Sequence, residues 1–344
     1  MIIRPMTSKD LDPLIQLIGH SGHGLTSLPK NPDVLSKRLK ASEQSFQKKG
    51  KSDANEFLFA LEGDGDGELI GVSGIYSSIG IYGPNPVYEI RERKMASAEL
   101  NTTSLIKTLH FKSLKKGFSE ICSLYLHPQR RKAELGRFLS LSRFLFMADH
   151  LRSFEPFVMA QMRGVVDEAG ENHFWSAVGA KFFKMDFSKA DHLAMNSRQW
   201  IEDLHPPDPI YLDLLPLEAR TVIGQTHPKT TAAAKILKRE GFSETDFVGI
   251  FESGPILLSE IDNIRTIQDS ITAKVLECLD VIEGEENEAP RILSNRRYTD
   301  FRSCLASVKR TDKGVFISKE TAHLLQVNRG EKIRLSFLNA VERG

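Results

Sequence analysis

Hydrophobic and polar positions fall into blocks along the first 190 residues, and each block predicts an element. MIIRPM has the length and apolar character of a strand. In SKDLDPLIQLIGHSG, Leu11, Leu14, Ile15 and Ile18 share one helical face behind Ser8, a residue type suited to capping a helix start. DVLSKRLKASEQSFQKK is amphipathic with a broad polar face, so a surface helix is expected. FLFALEG and ELIGVSGIYSSIG are apolar runs joined through DGDG, a turn composition that predicts a hairpin. EICSLYLHP reads as a strand closed by proline. GRFLSLSRFLFMADHL then reads as a mostly buried helix carrying Phe138, Leu139, Leu141, Leu145 and Phe146. A strand at PFVMAQMRGV, a short helix at NHFWSAVG and a strand at AKFFKMDF complete the order β-α-α-β-β-β-α-β-α-β.

The pattern changes after residue 190. RQWIEDLHPPDPIYLDLLPLEARTVIGQ predicts short helices broken by prolines, and TTAAAKILKREGF a helix stopped at Gly241. EGEENE, residues 283 to 288, is read as a solvated acidic loop. Beyond it RYTDFRSCLASVKR, GVFISKE and KIRLSFL have strand character, with a small helix and turn at TAHLLQVNRGE, so the last ~90 residues predict a compact β-rich unit. The whole is an α+β chain, and 344 residues exceed one ordinary core.

Composition narrows the partners. Lys plus Arg number 46 against 45 Asp plus Glu, which gives no reason to expect a nucleic acid or an acidic membrane surface. No segment approaches the ~20 apolar residues of a spanning helix, and MIIRPMTSKDLD meets charge too early for a signal peptide. Cys122, Cys278 and Cys304 lie far apart without metal-ligand spacing. Cytoplasm is the expected compartment, with no bound metal.

One stretch stands out chemically. HPQRRKAELGRF, residues 127 to 138, puts Arg130, Arg131, Lys132 and Arg137 where a strand turns into a helix. A helix start offers free N–H groups and a positive dipole end, so this turn could hold phosphates; on composition alone a solvated basic loop is the favoured reading. The order strand, HPQ, then Arg131 through Gly136, then helix resembles the coenzyme A signature Q/R-x-x-G-x-G/A of the GNAT superfamily of N-acyltransferases. Arg131 stands at its first position and Gly136 at its last, while Glu134 occupies the place of a glycine.

HGLTSLP at 23 to 29, ASAELN at 96 to 101, MRGVVDEAG at 162 to 170, FFKMDFSKAD at 182 to 191, DPIY at 208 to 211 and VIGQTHPKT at 222 to 230 look like the arginine N-succinyltransferase family, from Arg4 to about Ile261 and more loosely beyond. The resemblance implies a GNAT-like fold, a mixed and mostly antiparallel sheet flanked by helices. It further implies an acyltransferase region at 1–254 (core 1–190, helical extension 191–254) and a β-rich subdomain at 255–344. The implied reaction moves succinyl from succinyl-CoA, a co-substrate rather than a resident cofactor, to the α-amine of L-arginine. Ornithine as acceptor and a catalytically silent CoA-binding subunit stay open, as does oligomerisation; no nucleic acid or membrane partner is expected.

Residue roles follow from that resemblance. Leu124 falls at the family's succinyl-CoA contact, with Tyr125 and Leu126 beside it on the strand whose amides would hold the pantetheine. His227, ahead of Pro228, corresponds to the family's proton donor. Tyr125 is a rival acid, and Cys122 reads as a buried strand residue rather than a nucleophile. Chemistry alone nominates Asp167 and Glu168 for the guanidinium, and Arg163 or the Thr26 and Ser27 hydroxyls for the succinyl carboxylate.

Overall fold

The computed structural model describes residues 1–21, 27–48, 55–65, 67–81, 83–167, 170–195, 197–282 and 290–339. Thr26, Glu168 and the acidic run 283–288 therefore lie outside the described residues. Sixteen strands form one continuous sheet: β1 (Ile2–Pro5), β2 (Glu56–Glu62), β3 (Leu69–Tyr76), β4 (Asn85–Ser97), β5 (Thr102–Leu114), β6 (Phe118–Leu126), β7 (Phe157–Gln161), β8 (Ile210–Tyr211), β9 (Ser243–Gly249), β10 (Pro255–Glu260), β11 (Ile271–Leu279), β12 (Arg291–Ser294), β13 (Ser303–Ala306), β14 (Lys309–Thr311), β15 (Gly314–Ser318) and β16 (Lys332–Phe337).

Their order is β14-β15-β11-β16-β12-β13-β1-β2-β3-β6-β7-β10-β9-β4-β5-β8. Among the described residues, only β6 with β7 and β11 with β15 run parallel. The expected mixed, mostly antiparallel α+β architecture is thus the one observed. β1 joins the two halves, pairing β2 from Ile2↔Glu62 to Pro5↔Phe59 on one side and β13 at Ile3↔Ser303 on the other. β10 pairs with both β7 and β9, so 255–260 sits within the first half of the sheet.

The helix Ala133–Asp149 is the hub of the core. Phe138, Phe144 and Phe146 are fully buried against Phe57 and Phe59 of β2 and against Tyr298, Phe301 and Ile292 of the C-terminal half. Burying a side chain of this size is worth roughly 1.5–3 kcal/mol, so the shared cluster ties both halves to one helix. At its end Asp149 accepts hydrogen bonds from Arg296 (2.7 Å) and Arg334 (2.9 Å). A second cluster of Val275, Leu293, Val315, Ile317 and Leu335 gives the C-terminal region a core of its own.

The helix Leu11–Gly19 is preceded by a short 3₁₀ turn, Ser8–Asp10, in which Thr7 rather than Ser8 stands at the cap: the Thr7 N–H donates to the Asp10 carboxylate at 2.7 Å. The strand predicted at AKFFKMDF is absent. Those residues form the helices Gly179–Phe183 and Phe187–Ala194, separated by Lys184 in the left-handed region (φ +54°). A Cβ on Gly179 would stand 2.3 Å from the Trp175 ring, so glycine lets this helix close on the preceding one, with Phe183 stacked on Trp175.

Candidate active site

β6 and β7 are paired through three residues, Phe118↔Phe157, Ser119↔Val158 and Glu120↔Met159, and then diverge. From Ile121 to Leu126 the β7-facing edge of β6 has no strand partner, which leaves backbone groups available to a ligand. A bulge marks the middle of this free edge. The pairing with β3 jumps from Val72↔Tyr125 to Gly74↔Cys122, and Ser123 takes φ +55°, so two residues of β6 oppose one of β3.

A cavity of about 360 Å³ opens at this fork. Leu124 and the bulge line one side, Met162 and Arg163 beyond β7 another, and Phe251 and Glu252 of the β9–β10 turn a third. Ser27 also lines it. Of the sequence candidates the cavity thus gathers Leu124, Arg163 and Ser27. Tyr125 is instead packed among Met6, Leu14 and Val72, where burial raises its proton affinity and its hydroxyl finds no hydrogen-bond partner among the described residues. Leu126 lies in the main core. Asp167 is exposed and serves its own loop, accepting the Glu171 N–H at 2.8 Å and standing 3.7 Å from His173.

The basic turn follows the free edge. His127 Nδ1 accepts the Gln129 N–H, a 3₁₀ turn covers Pro128–Arg130, and the helix begins at Ala133 with Lys132 at its cap and no side chain covering its first N–H groups. Arg130, Arg131 and Lys132 are exposed, Arg137 half-buried. Arg130 pairs with Glu68 at 3.0 Å and Arg131 donates to the Leu126 carbonyl at 3.4 Å while lying over the Tyr125 ring. A Cβ on Gly136 would meet nothing within 4 Å, so open space borders the helix there. Cavity and turn therefore occupy the two ends of one unpaired strand edge.

His227 is 8% exposed and adjoins the cavity without lining it. Its backbone N–H donates to the Arg163 carbonyl at 2.8 Å, and Thr230, whose N–H donates to the His227 carbonyl at 2.9 Å, lines the cavity with Arg163. Its Nδ1 accepts the Lys229 N–H at 3.1 Å. That bond places the ring proton on Nε2, which has no acceptor among the described residues. Burial, with Arg163 and Lys229 nearby, lowers its affinity for a second proton, so the ring is a neutral Nε2–H donor near pH 7.

Sequence reasoning missed four charged groups. Glu120 lines the cavity at the apex of the fork. Glu252 accepts the Gly164 N–H at 3.1 Å and pairs with Arg163 at 3.5 Å, and burial pushes its carboxyl up to about 7. Arg198 is held by Asn85 at 2.9 Å. Arg143, 2% exposed, fastens the core helix to the bulge through the Gly74 and Cys122 carbonyls at 3.5 and 3.4 Å, and burial lowers it to about 10. The available signal was a charge inside an apolar run, as in EICSLYL and LSLSRFLFMA. Cys122 also lines the cavity, but burial pushes its thiol up to about 12, which disfavours the thiolate a nucleophile needs.

A forked strand pair with a bulged free edge, followed by a cationic helix start, fits the GNAT-like acyltransferase class, which takes an acyl-CoA as co-substrate. Comparison with known proteins narrows this. A family described as arginine N-succinyltransferase beta subunit matches residues 1–266, and its C-terminal domain family matches 271–336. The arginine N-succinyltransferase of Shigella boydii serotype 18 is 37% identical over 347 residues, covering 100% of this chain and 99% of that protein. The arginine N-succinyltransferase subunit beta of Pseudomonas aeruginosa is 37% identical over 345 residues, covering 100% of each. A solved structure described as arginine/ornithine succinyltransferase subunit AI from Pseudomonas aeruginosa superposes with a TM-score of 0.89 at 30% identity, covering 98% of this chain and 99% of that one. The chain belongs to the arginine N-succinyltransferase family. Among the described residues, no helix is long and apolar enough to cross a membrane.

If the basic turn holds the coenzyme's phosphates, reversing the charge at Arg131 is expected to weaken succinyl-CoA binding by ~1–3 kcal/mol, roughly 5- to 150-fold in Kd, the range for exchanging a charge-assisted contact for repulsion. Calorimetric titration checks this, and the exposed position of Arg131 predicts an unchanged melting temperature.

Proposed function

We propose that this chain transfers succinyl from succinyl-CoA to the α-amine of L-arginine, giving N2-succinylarginine and CoA. The observation that carries the reading is the fork cavity, which joins the free edge of β6 to side chains of both charge signs, Glu120 and Glu252 with Arg163 and Arg198. A zwitterionic acceptor with a cationic side chain, and an acyl group ending in a carboxylate, need both signs in one site.

In this reading the diphosphate rests at 130–137, against Arg130, Arg131, Lys132, Arg137 and the backbone beside Gly136, and the pantetheine runs along Leu126 to Leu124. The thioester then lies at the bulge. Arg163 and Ser27 face the succinyl carboxylate. The neutral amine attacks the carbonyl carbon, a C–N bond forms, the C–S bond breaks, and the proton lost from nitrogen ends on the CoA thiol. His227 supports the departure through Nε2–H, a hydrogen-bond donor whose tautomer is fixed by Lys229. Direct transfer asks for no resident cofactor. The three cysteines are unpaired, which suits a reducing cytoplasm. Relatives described as subunits support an assembly with a further chain.

Thiol release from succinyl-CoA in the presence of L-arginine tests the proposal, with acetyl-CoA, ornithine and lysine as comparators. Arginine with succinyl-CoA is expected to give the highest kcat/KM. Preference for ornithine would shift the acceptor, and binding without thiol release would overturn the catalytic reading.

A further inference from the structure

Three carboxylates line the fork cavity, and they are not equivalent. Glu252 is engaged by the Gly164 N–H and Arg163. Asp191 is not free either. Glu120 has no hydrogen bond or ion pair among the described residues, although Arg38 and Arg198 lie close enough to influence it. Both of those cations have other acceptors, Arg38 in Glu56 and Arg198 in Asn85. Partial burial raises the proton affinity of Glu120, a half-buried carboxylate in the cavity wall with no hydrogen-bond donor among the described residues.

We propose that Glu120 is the binding residue for the side-chain cation of the amino-acid acceptor, and so sets selectivity for a basic side chain. This rests on the acyltransferase reading above. Glu120 is the last residue of β6 paired to both neighbours, opposite Tyr76 on β3 and Met159 on β7, so its backbone is fixed where the fork begins. Leu124 is four residues along the same strand, roughly 13 Å at ~3.3 Å per residue, which leaves room for an extended acceptor between the cation site and the thioester. The acceptor's α-amine must be uncharged to attack. Its side-chain guanidinium keeps its charge throughout and is the lasting partner for a half-buried carboxylate. Tyr76, Phe187 and Phe251 also line the cavity and offer flat apolar surface to a planar cation.

The test compares L-arginine with L-citrulline, which has nearly the same shape but a neutral side chain, by calorimetric binding in the presence of CoA and by thiol release. Wild-type protein is expected to favour arginine roughly 10²-fold or more, the effect of a desolvated charge pair, and Glu120→Gln to bring the ratio within about tenfold of one. Succinyl-CoA affinity should hold in the variant, which separates a lost subsite from a lost fold. If Glu120→Gln does not fold, Glu120→Asp keeps the charge but withdraws it by one methylene, and arginine binding alone should weaken. Equal losses for arginine and citrulline would place Glu120 at the shared α-amino end, and an unchanged ratio would remove it from recognition; either result overturns the assignment. Absence of thiol release by wild-type protein would count against the transfer reaction, while the binding ratio would still report on Glu120.

Discussion

His227→Ala is expected to lower kcat roughly 10²–10⁴-fold while the KM for succinyl-CoA changes little, the pattern for an interaction made only as the reaction proceeds. The reason is local. The Lys229 N–H occupies Nδ1, the Arg163 carbonyl holds the backbone, and Nε2–H is the one functional edge left to the ring. His227→Gln retains an N–H donor and is expected to recover part of the loss. A glutamine variant as slow as alanine, with an altered pH profile, would show that the ring itself must accept and release a proton. Alanine at wild-type rate would remove His227 from the chemistry.

Gly164→Ala is the structural counterpart, with an expected loss of ~3 kcal/mol, the upper end for overpacking. A Cβ at Gly164 would stand 2.0 Å from the Glu252 carbonyl oxygen, and one at Gly254 2.1 Å from the Met162 oxygen, so two backbones touch here with no side chain able to yield. The same junction carries Arg163, whose carbonyl receives the His227 N–H, and Ser253, whose carbonyl receives the Gly224 N–H at 2.8 Å. Forcing it apart should move the histidine as well. The expected result is a lower urea midpoint at unchanged m, with kcat falling further than succinyl-CoA affinity, because the basic turn lies at the opposite end of the β6 edge.

The sequence was most readable where one environment governs a whole run. The helix at 133–149 and strands β2, β3 and β6 are buried along nearly their full length or on one strict face, and continuous apolar runs announced them. The long hairpin β4–β5 escaped notice because its outer half is exposed, so RERK and the threonine-rich return strand carry no inward face to alternate against. At AKFFKMDF the adjacent phenylalanines imitate a strand, yet they are gathered around Trp175 and His205 by helical turns that the glycine at 179 permits. β11 and β12 were also unannounced. For the site, Leu124, Arg163 and Ser27 line the cavity, whereas Asp167 is drawn to the amide of its own loop. Glu120 and Arg143 were visible only as charges out of keeping with their neighbours, since their meaning depends on a divergence of two strands that no local pattern encodes.

The place of β1 in the sheet has a consequence for the order in which the protein is made. Its four residues are made about sixty residues ahead of one neighbour, β2, but some three hundred residues ahead of the other, β13. During that interval the nascent first half carries an open strand edge, and the Phe57, Phe59 and Phe146 cluster lacks its cover from Tyr298 and Phe301. Late closure of so distant a pairing makes this interval the vulnerable one, when a growing chain is already able to pair with the wrong partner. The C-terminal β region thus acts as a seal on the half that holds the cavity, set in place only after that half has been synthesised.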